Sequence, residues 1–236
     1  MNLRSGSQEN KNGRQSLKCD KISEALLKEF HDKIRPDYYD NPRFAIQRIW
    51  HRRRFQLIKS LLKEDAAKNE VMTLDIGCNG GTFTNIIKQS VDDGLMIGID
   101  IGEQGVMYAA KKYPDITFLI ADACHLPFRE NSFDLITCLE VLEHLTDPLK
   151  CLMEINRCLK PKREAIILVP RLDSLLFKIV WYVWINTGGR DWKEAHTTVI
   201  RNKKNLKLLV ERAGLKIIRE KSSHLGMLMA FKVKKP

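Results

Sequence analysis

Leu74-Asp75-Ile76-Gly77-Cys78-Asn79-Gly80-Gly81-Thr82-Phe83-Thr84 decides how this 236-residue chain is read. The apolar run 71–76 carries an acid at its fifth position and breaks into a loop holding Gly77, Gly80 and Gly81. Phe83, Ile86 and Ile87 then recur at helical spacing. Strand, tight loop and helix N-terminus in that order form the layout that holds a nucleotide-like ligand. Glycine suits the loop because a backbone without Cβ turns sharply and lies close against a ligand. The acid before the loop suits a ligand with a positively charged end. The dinucleotide fingerprint G-x-G-x-x-G fits poorly, because Asp75 stands where its first glycine belongs. An NAD-dependent oxidoreductase is therefore disfavoured.

Three further segments extend the pattern. Leu95-Met96-Ile97-Gly98-Ile99-Asp100 reads as a second strand ending in an acid, where a carboxylate can accept from both hydroxyls of a ribose. Residues 116–120 read as a third strand, followed by Ala121-Asp122-Ala123, where an acid can accept from an adenine amino group. Phe133-Asp134-Leu135-Ile136-Thr137-Cys138-Leu139-Glu140-Val141-Leu142-Glu143-His144 supplies a fourth strand and the strand-to-helix turn at its end. Together these segments resemble the class I S-adenosylmethionine (SAM) methyltransferases, whose first motif has the form D-x-G-C-x-x-G. Within that class the chain is most like the type 11 group, which includes methyltransferases of ubiquinone and menaquinone biosynthesis.

The resemblance covers about 71–170, with a plausible completion after it. It implies an α/β fold: a Rossmann-like seven-stranded sheet, order 3-2-1-4-5-7-6, last strand antiparallel, flanked by helices. It implies SAM as cofactor, with Asp75, Gly77, Cys78, Asn79 and Gly80 at the methionine part. Asp100 and Ile101 then fall at the ribose, Asp122 and Ala123 at the adenine, and Glu140 and Val141 beside the reacting centre. Asp134 takes a structural part at the start of its strand.

Composition sets the outer bounds. At 44% hydrophobic, the chain is long enough for one domain with a sizeable core plus appendages. Six cysteines without a C-x-x-C pair indicate neither a zinc site nor a disulfide framework, so reduced intracellular thiols are expected. The first 16 residues are polar and lack an apolar signal core. Residues 1–18 are read as a disordered tail, 19–66 as helices covering the cofactor site, and 67–236 as the catalytic domain with an apolar insertion at 172–198. A cytoplasmic location is expected, with membrane association as an alternative.

The net charge of +11 is unevenly spread. Residues 71–156 carry 5 Lys+Arg against 13 Asp+Glu, whereas 157–236 carry 19 against 6. Basic flanks around an acidic centre favour an anionic partner or surface, and solvated helix faces are the competing explanation.

Outside the motif, residues 20–34 have helical spacing, and 35–42 break it. A second helix starts near Pro42, with Phe44, Ile49, Trp50, Leu57, Ile58, Leu61 and Leu62 toward a core. Arg43, Arg48, Arg52, Arg53, Arg54 and Lys59 fall on its other faces. Asp147-Pro148 opens another helix, Lys160-Pro161-Lys162 reads as a turn, and 165–169 as a strand. Residues 172–185 are almost wholly apolar, with Trp181, Tyr182 and Trp184 close together. At that length, and interrupted by Lys178, they fall short of a span and suit a pocket wall or interface. A loop over 186–196, a helix over 202–213 stopped by Gly214, and strands over 215–222 and 225–233 complete the reading.

Glu140, Glu143 and His144 invite two chemical roles. His144, with Glu143 beside it, is the candidate general base. The same three residues with His196 offer ligands for a divalent metal, as in E-x-x-E-H methyltransferases that hold a vicinal diol on magnesium; the metal-free reading is preferred. The acceptor expected first is a small, quinone-like, isoprenoid or other lipid-like molecule, anionic by the charge argument, with peripheral membrane contact. RNA 2′-O-methylation and a non-catalytic accessory role are the alternatives.

Overall fold

The computed structural model of the chain describes residues 32, 34–42, 45–62, 71–91, 94–187, 200 and 202–236. The expected tail at 1–18, most of the first helix, and His196 lie outside these. Seven strands form one sheet in the order β3-β2-β1-β4-β5-β7-β6. They are β1 (Thr73–Ile76), β2 (Met96–Asp100), β3 (Thr117–Ile120), β4 (Phe133–Leu139), β5 (Leu159–Pro170), β6 (Lys216–Ser223) and β7 (Leu228–Lys234). The first five pair in parallel, and β7 runs antiparallel to both β5 and β6. Order and direction are those expected. Parallel neighbours need crossovers, and three of these contain helices: α2 (Thr82–Lys88), α3 (Glu103–Lys112) and α4 (Pro148–Cys158).

The two-residue period of β5 and β7 shows how both faces are covered. Ala165, Ile167 and Val169 join Met229, Phe231 and Val233 in one core, with Leu152 and Ile155 of α4 and Leu206 and Val210 of α6 (Lys203–Arg212). Ile166, Leu168, Leu228 and Ala230 point the other way, onto Phe83 and Ile87 of α2 and Leu57, Ile58 and Leu61 of α1 (Ala45–Leu62). Sheets covered on both faces read as near-continuous apolar runs, which is why β5 gives no polar alternation after Glu164. Each fully buried side chain such as Ile58 or Phe231 contributes about 1.5–3 kcal/mol.

Local chemistry sets the helix ends. The Asp147 carboxylate caps α4 by accepting from the Lys150 N–H, with Pro148 at the first turn. Asn202 caps α6 in the same way, and Gly214 follows it at φ 77°. Asp134 has its structural part: its carboxylate accepts from the Met72 N–H at 3.1 Å and meets Lys160 at 2.7 Å and Arg163 at 3.1 Å.

Two boundaries differ from the sequence reading. Lys160-Pro161-Lys162 lies inside β5 and not in a turn before it; Lys162 at φ 63° and the shifted register between Phe133 and Leu135 absorb it as a bulge. Leu225 belongs to the turn between β6 and β7, where His224, Leu225 and Gly226 all have positive φ. Among the described residues no helix is long and apolar enough to cross a membrane.

The order of the sheet reverses at β1, whose neighbours are β2 on one side and β4 on the other. Ligands of open α/β sheets bind beyond the carboxyl ends of the strands at such a point.

Candidate active site

A cavity of about 250 Å³ opens beyond β1, β2 and β4. It is lined by Asp75, Gly77, Cys78, Asn79, Asp100, Ile101, Asp122, Ala123, Glu140 and Val141, and also by Glu143 and His144. Every candidate cofactor residue named from the sequence lines one cavity except Gly80, which packs against Pro36 instead. A Cβ on Gly80 would stand 1.8 Å from the Pro36 carbonyl oxygen, so its bare face receives the 34–42 segment. Gly77 (φ 78°) leaves room for Val141, whose Cγ2 would lie 2.2 Å from an added Cβ. The loop glycines thus admit protein on two sides while their backbone turns past the cavity.

The acids hold the loop in place. Asp100 accepts from the Asn79 N–H at 2.9 Å through one oxygen and from the Gly102 N–H at 2.8 Å through the other. Asp75 is buried, and its two oxygens accept from the hydroxyls of Thr84 (2.6 Å) and Thr137 (2.7 Å). Burial pushes its carboxyl up to about 6 despite those two bonds, and the Asp100 charge adds to the rise. Asp122 accepts from the Cys124 N–H at 2.8 Å and pairs with His125.

At the end of β4 the chain turns through Glu140 at φ 57°, a left-handed conformation that costs a residue with a Cβ energy. Its N–H donates to the Leu168 carbonyl at 2.7 Å, which ties the turn to β5. Its carboxylate meets the Arg54 guanidinium at 2.8 Å. Burial raises the Glu140 pKa and Arg54 opposes the rise; burial and the Glu140 charge lift Glu143 well above the ordinary carboxylate range. His144 Nε2 lies 4.0 Å from Glu143 Oε1, beyond hydrogen-bond distance. Among the described residues no three His, Cys, Asp or Glu side chains are grouped to hold a metal ion.

Arg54 is a correction to the sequence reading, which placed it on a basic outer face. Arg48, Arg52 and Arg53 are exposed, but Arg54 is buried over the rings of Tyr39 and Phe83. Gln47, His51, Arg54, Ile58 and Leu61 are all buried at alternating spacings of four and three. They form one stripe of α1, whose polar, N-terminal half lines the cavity. Tyr38 and Tyr39 line it too. Sequence reasoning missed Gln47 and His51 as cavity residues because it followed apolar periodicity alone; three polar residues continuing an apolar stripe were the available signal.

The opposite wall is α5 (Leu175–Thr187), the apolar insertion. Phe177, Val180, Trp181 and Trp184 face the cavity, with the Phe177 and Trp181 rings stacked at 5.7 Å. Leu175 (73% exposed), Ile179, Tyr182 (68%) and Val183 face outward. Apart from the exposed Lys178, the described side chains over 175–185 are apolar or aromatic on both sides.

Comparison with known proteins agrees with this geometry. Residues 74–167 match the family described as a methyltransferase domain. An uncharacterized protein of Methanocaldococcus jannaschii is 34% identical over 150 residues, which span 64% of this chain and 63% of that relative. The demethylmenaquinone methyltransferase of Staphylococcus aureus is 26% identical over 197 residues, 76% of this chain and 79% of that one. Among solved structures, magnesium protoporphyrin IX methyltransferase of Synechocystis with bound SAH superimposes with a TM-score of 0.71 at 17% identity, covering 91% of this chain and all of that one. A Pyrococcus horikoshii protein gives 0.67 at 16%, covering 89% and 99%. These two likenesses speak for the fold.

Proposed function

We propose that this chain is a class I SAM-dependent methyltransferase, a reading supported by its methyltransferase-domain match over 74–167 and by its fold, and that it transfers the SAM methyl group to a small, apolar, lipid-like acceptor such as a quinol precursor. The observation that carries this reading is the two-part cavity, with carboxylates and the glycine loop at the strand ends and aromatic side chains of α5 opposite them.

The residues fit SAM by the chemistry of their donors. Asp75, Asp100, Asp122, Glu140 and Glu143 give the cavity wall five carboxyl groups against one described cation, Arg54, which is paired with Glu140. Such a wall favours a cationic ligand. When bound, SAM supplies a methyl group on a positively charged sulfur that is already a strong electrophile. Asp100 is the candidate partner of the ribose hydroxyls, and Asp122 with Ala123 of the adenine. Asp75 and the 77–79 backbone are the candidates for the methionine end. Val141, seated on Gly77, fixes the loop against the turn after β4.

The chain's remaining task is alignment and exclusion of water, which supply much of the acceleration of a displacement whose electrophile is already activated. Tyr39, Phe83, Phe177, Trp181 and Trp184 give the acceptor half an apolar lining. Glu143 and His144 stay candidates for moving a proton at the acceptor. The acidic wall argues for an uncharged reacting end, because the basic surplus of the flanks includes the exposed Arg48, Arg52 and Arg53 outside it. The outward apolar face of α5 supports a lipid-like acceptor and peripheral membrane contact.

Transfer of a labelled methyl group from SAM to reduced naphthoquinones tests the reading. Trp181→Ala/Trp184→Ala should weaken acceptor use at least roughly tenfold while SAM affinity stays within about twofold. Unchanged acceptor use in that variant would sink the lipid-like assignment.

A further inference from the structure

His51 is a buried polar group that neither the fold nor the cofactor reading employs. It is 3% exposed and lines the cavity from α1. Among the described residues neither Nδ1 nor Nε2 has a hydrogen-bond partner. Its ring meets Tyr38 and Tyr39 edge-on, with centroids 5.3 and 5.0 Å away. A buried polar atom left unbonded is costly, and here both nitrogens are unbonded. Packing alone does not require them: the same stripe of α1 continues with Ile58 and Leu61.

The charge state of the ring is settled by its surroundings. Burial, followed by the charges of Arg54 and His224, holds the imidazole pKa down to about 3. Among the described residues Tyr38, Tyr39, Arg54, Glu140, Glu143 and His224 are the titratable groups facing this region from the 34–42 segment, α1, the turn after β4 and the β6–β7 turn. A neutral imidazole has one N–H and one bare nitrogen. It can therefore accept a proton-bearing group, which an imidazolium cannot.

We propose that His51 binds the methyl acceptor, its bare ring nitrogen accepting a hydrogen bond from the hydroxyl of an uncharged phenol- or enol-type acceptor. This rests on the methyltransferase reading of the cavity and adds the class of group the acceptor must carry. The five carboxyl groups of the wall favour the protonated hydroxyl over its anion. Tyr38, Tyr39 and the α5 aromatics suit the flat ring to which such a hydroxyl is attached.

The test is calorimetric titration of the SAH-loaded protein with 2-naphthol and with 2-methoxynaphthalene, which has the same ring system but no hydroxyl proton. The wild type should bind 2-naphthol about tenfold or more tightly than its methyl ether. His51→Phe preserves an aromatic ring for Tyr38 and Tyr39; it should bring the two affinities within about threefold and leave SAH affinity unchanged. In the wild type, the ¹⁵N resonance of the bare His51 nitrogen should move with 2-naphthol and stay with the ether, a readout that does not depend on the variant folding. Equal wild-type affinities, a preference that survives His51→Phe, a still resonance, or no binding of either compound would overturn the proposal. SAH binding together with any of these results would overturn the role of His51 alone. No SAH binding to the wild type would overturn the methyltransferase reading with it.

Discussion

Replacing Asp75 by Asn offers a sharp check on the electrostatics of the cavity. Asn keeps the size of the carboxyl group and can still bond Thr84 and Thr137, whose hydroxyls both donate and accept. In the ligand-free protein the Asp75 pKa lies at about 6 against an ordinary 3.8. The folded state therefore holds the proton more tightly than the unfolded state. The stabilisation from the protonated form is fully present below 3.8 and is lost as pH rises through about 6. Roughly two pKa units at about 1.4 kcal/mol each amount to ~3 kcal/mol. For a chain of this size that is about 6–12 °C in Tm. Differential scanning calorimetry should show the wild type losing that much relative to Asp75→Asn between about pH 4 and pH 7.5. Glu140 and Glu143 titrate in both proteins and largely cancel in the difference. Saturating SAM should shrink the gap, because a positive group nearby favours the ionised carboxylate. A wild-type-minus-variant difference that stays flat with pH would refute the reasoning.

Other outcomes rest on single contacts. Arg54→Met leaves Glu140 buried without its cation and should cost about 3 kcal/mol at pH 7.5, less at pH 5 as Glu140 protonates; Arg54→Met/Glu140→Leu should recover most of it in urea unfolding. Gly77→Ala meets Val141 and a positive φ together, so it should destabilise by more than ~2 kcal/mol, with part regained on adding Val141→Ala. Gly80→Ala pushes against the Pro36 carbonyl and should raise the rate of limited proteolysis within 34–42 while shifting Tm by only about 2–4 °C.

The parts of the fold legible in the sequence had local causes. The acid, the glycines and the first turn of α2 are consecutive, so the β1 loop and its strand could be read without tertiary information. The acids ending β2 and following β3 could be ordered for the same reason. Arg54 and His51 were not legible in this way, because their burial depends on Tyr38 and Tyr39 before α1 and on Phe83 and Glu140 beyond it, partners outside the helix's own periodicity. The reason for Gly77 and Gly80 also lay in distant partners, Val141 and Pro36, where local reasoning had supplied only a ligand. The split character of α5 sits between these cases. Its apolar composition was plain, but only the fold decides that Trp181 faces the cavity and Tyr182 does not. Lys162 shows the reverse error: a turn-like Lys-Pro-Lys was absorbed by a long strand as a bulge.

The central claim is that the cavity beyond β1, β2 and β4 is a SAM site. Calorimetric titration of the purified chain with SAM, and separately with NAD, tests it most directly, with Asp100→Ala as control and its thermal unfolding recorded alongside. The account predicts SAM binding with Kd on the order of micromolar, loss of it in a folded Asp100→Ala variant, and no response to NAD. Absence of SAM binding, or binding indifferent to Asp100, would contradict it.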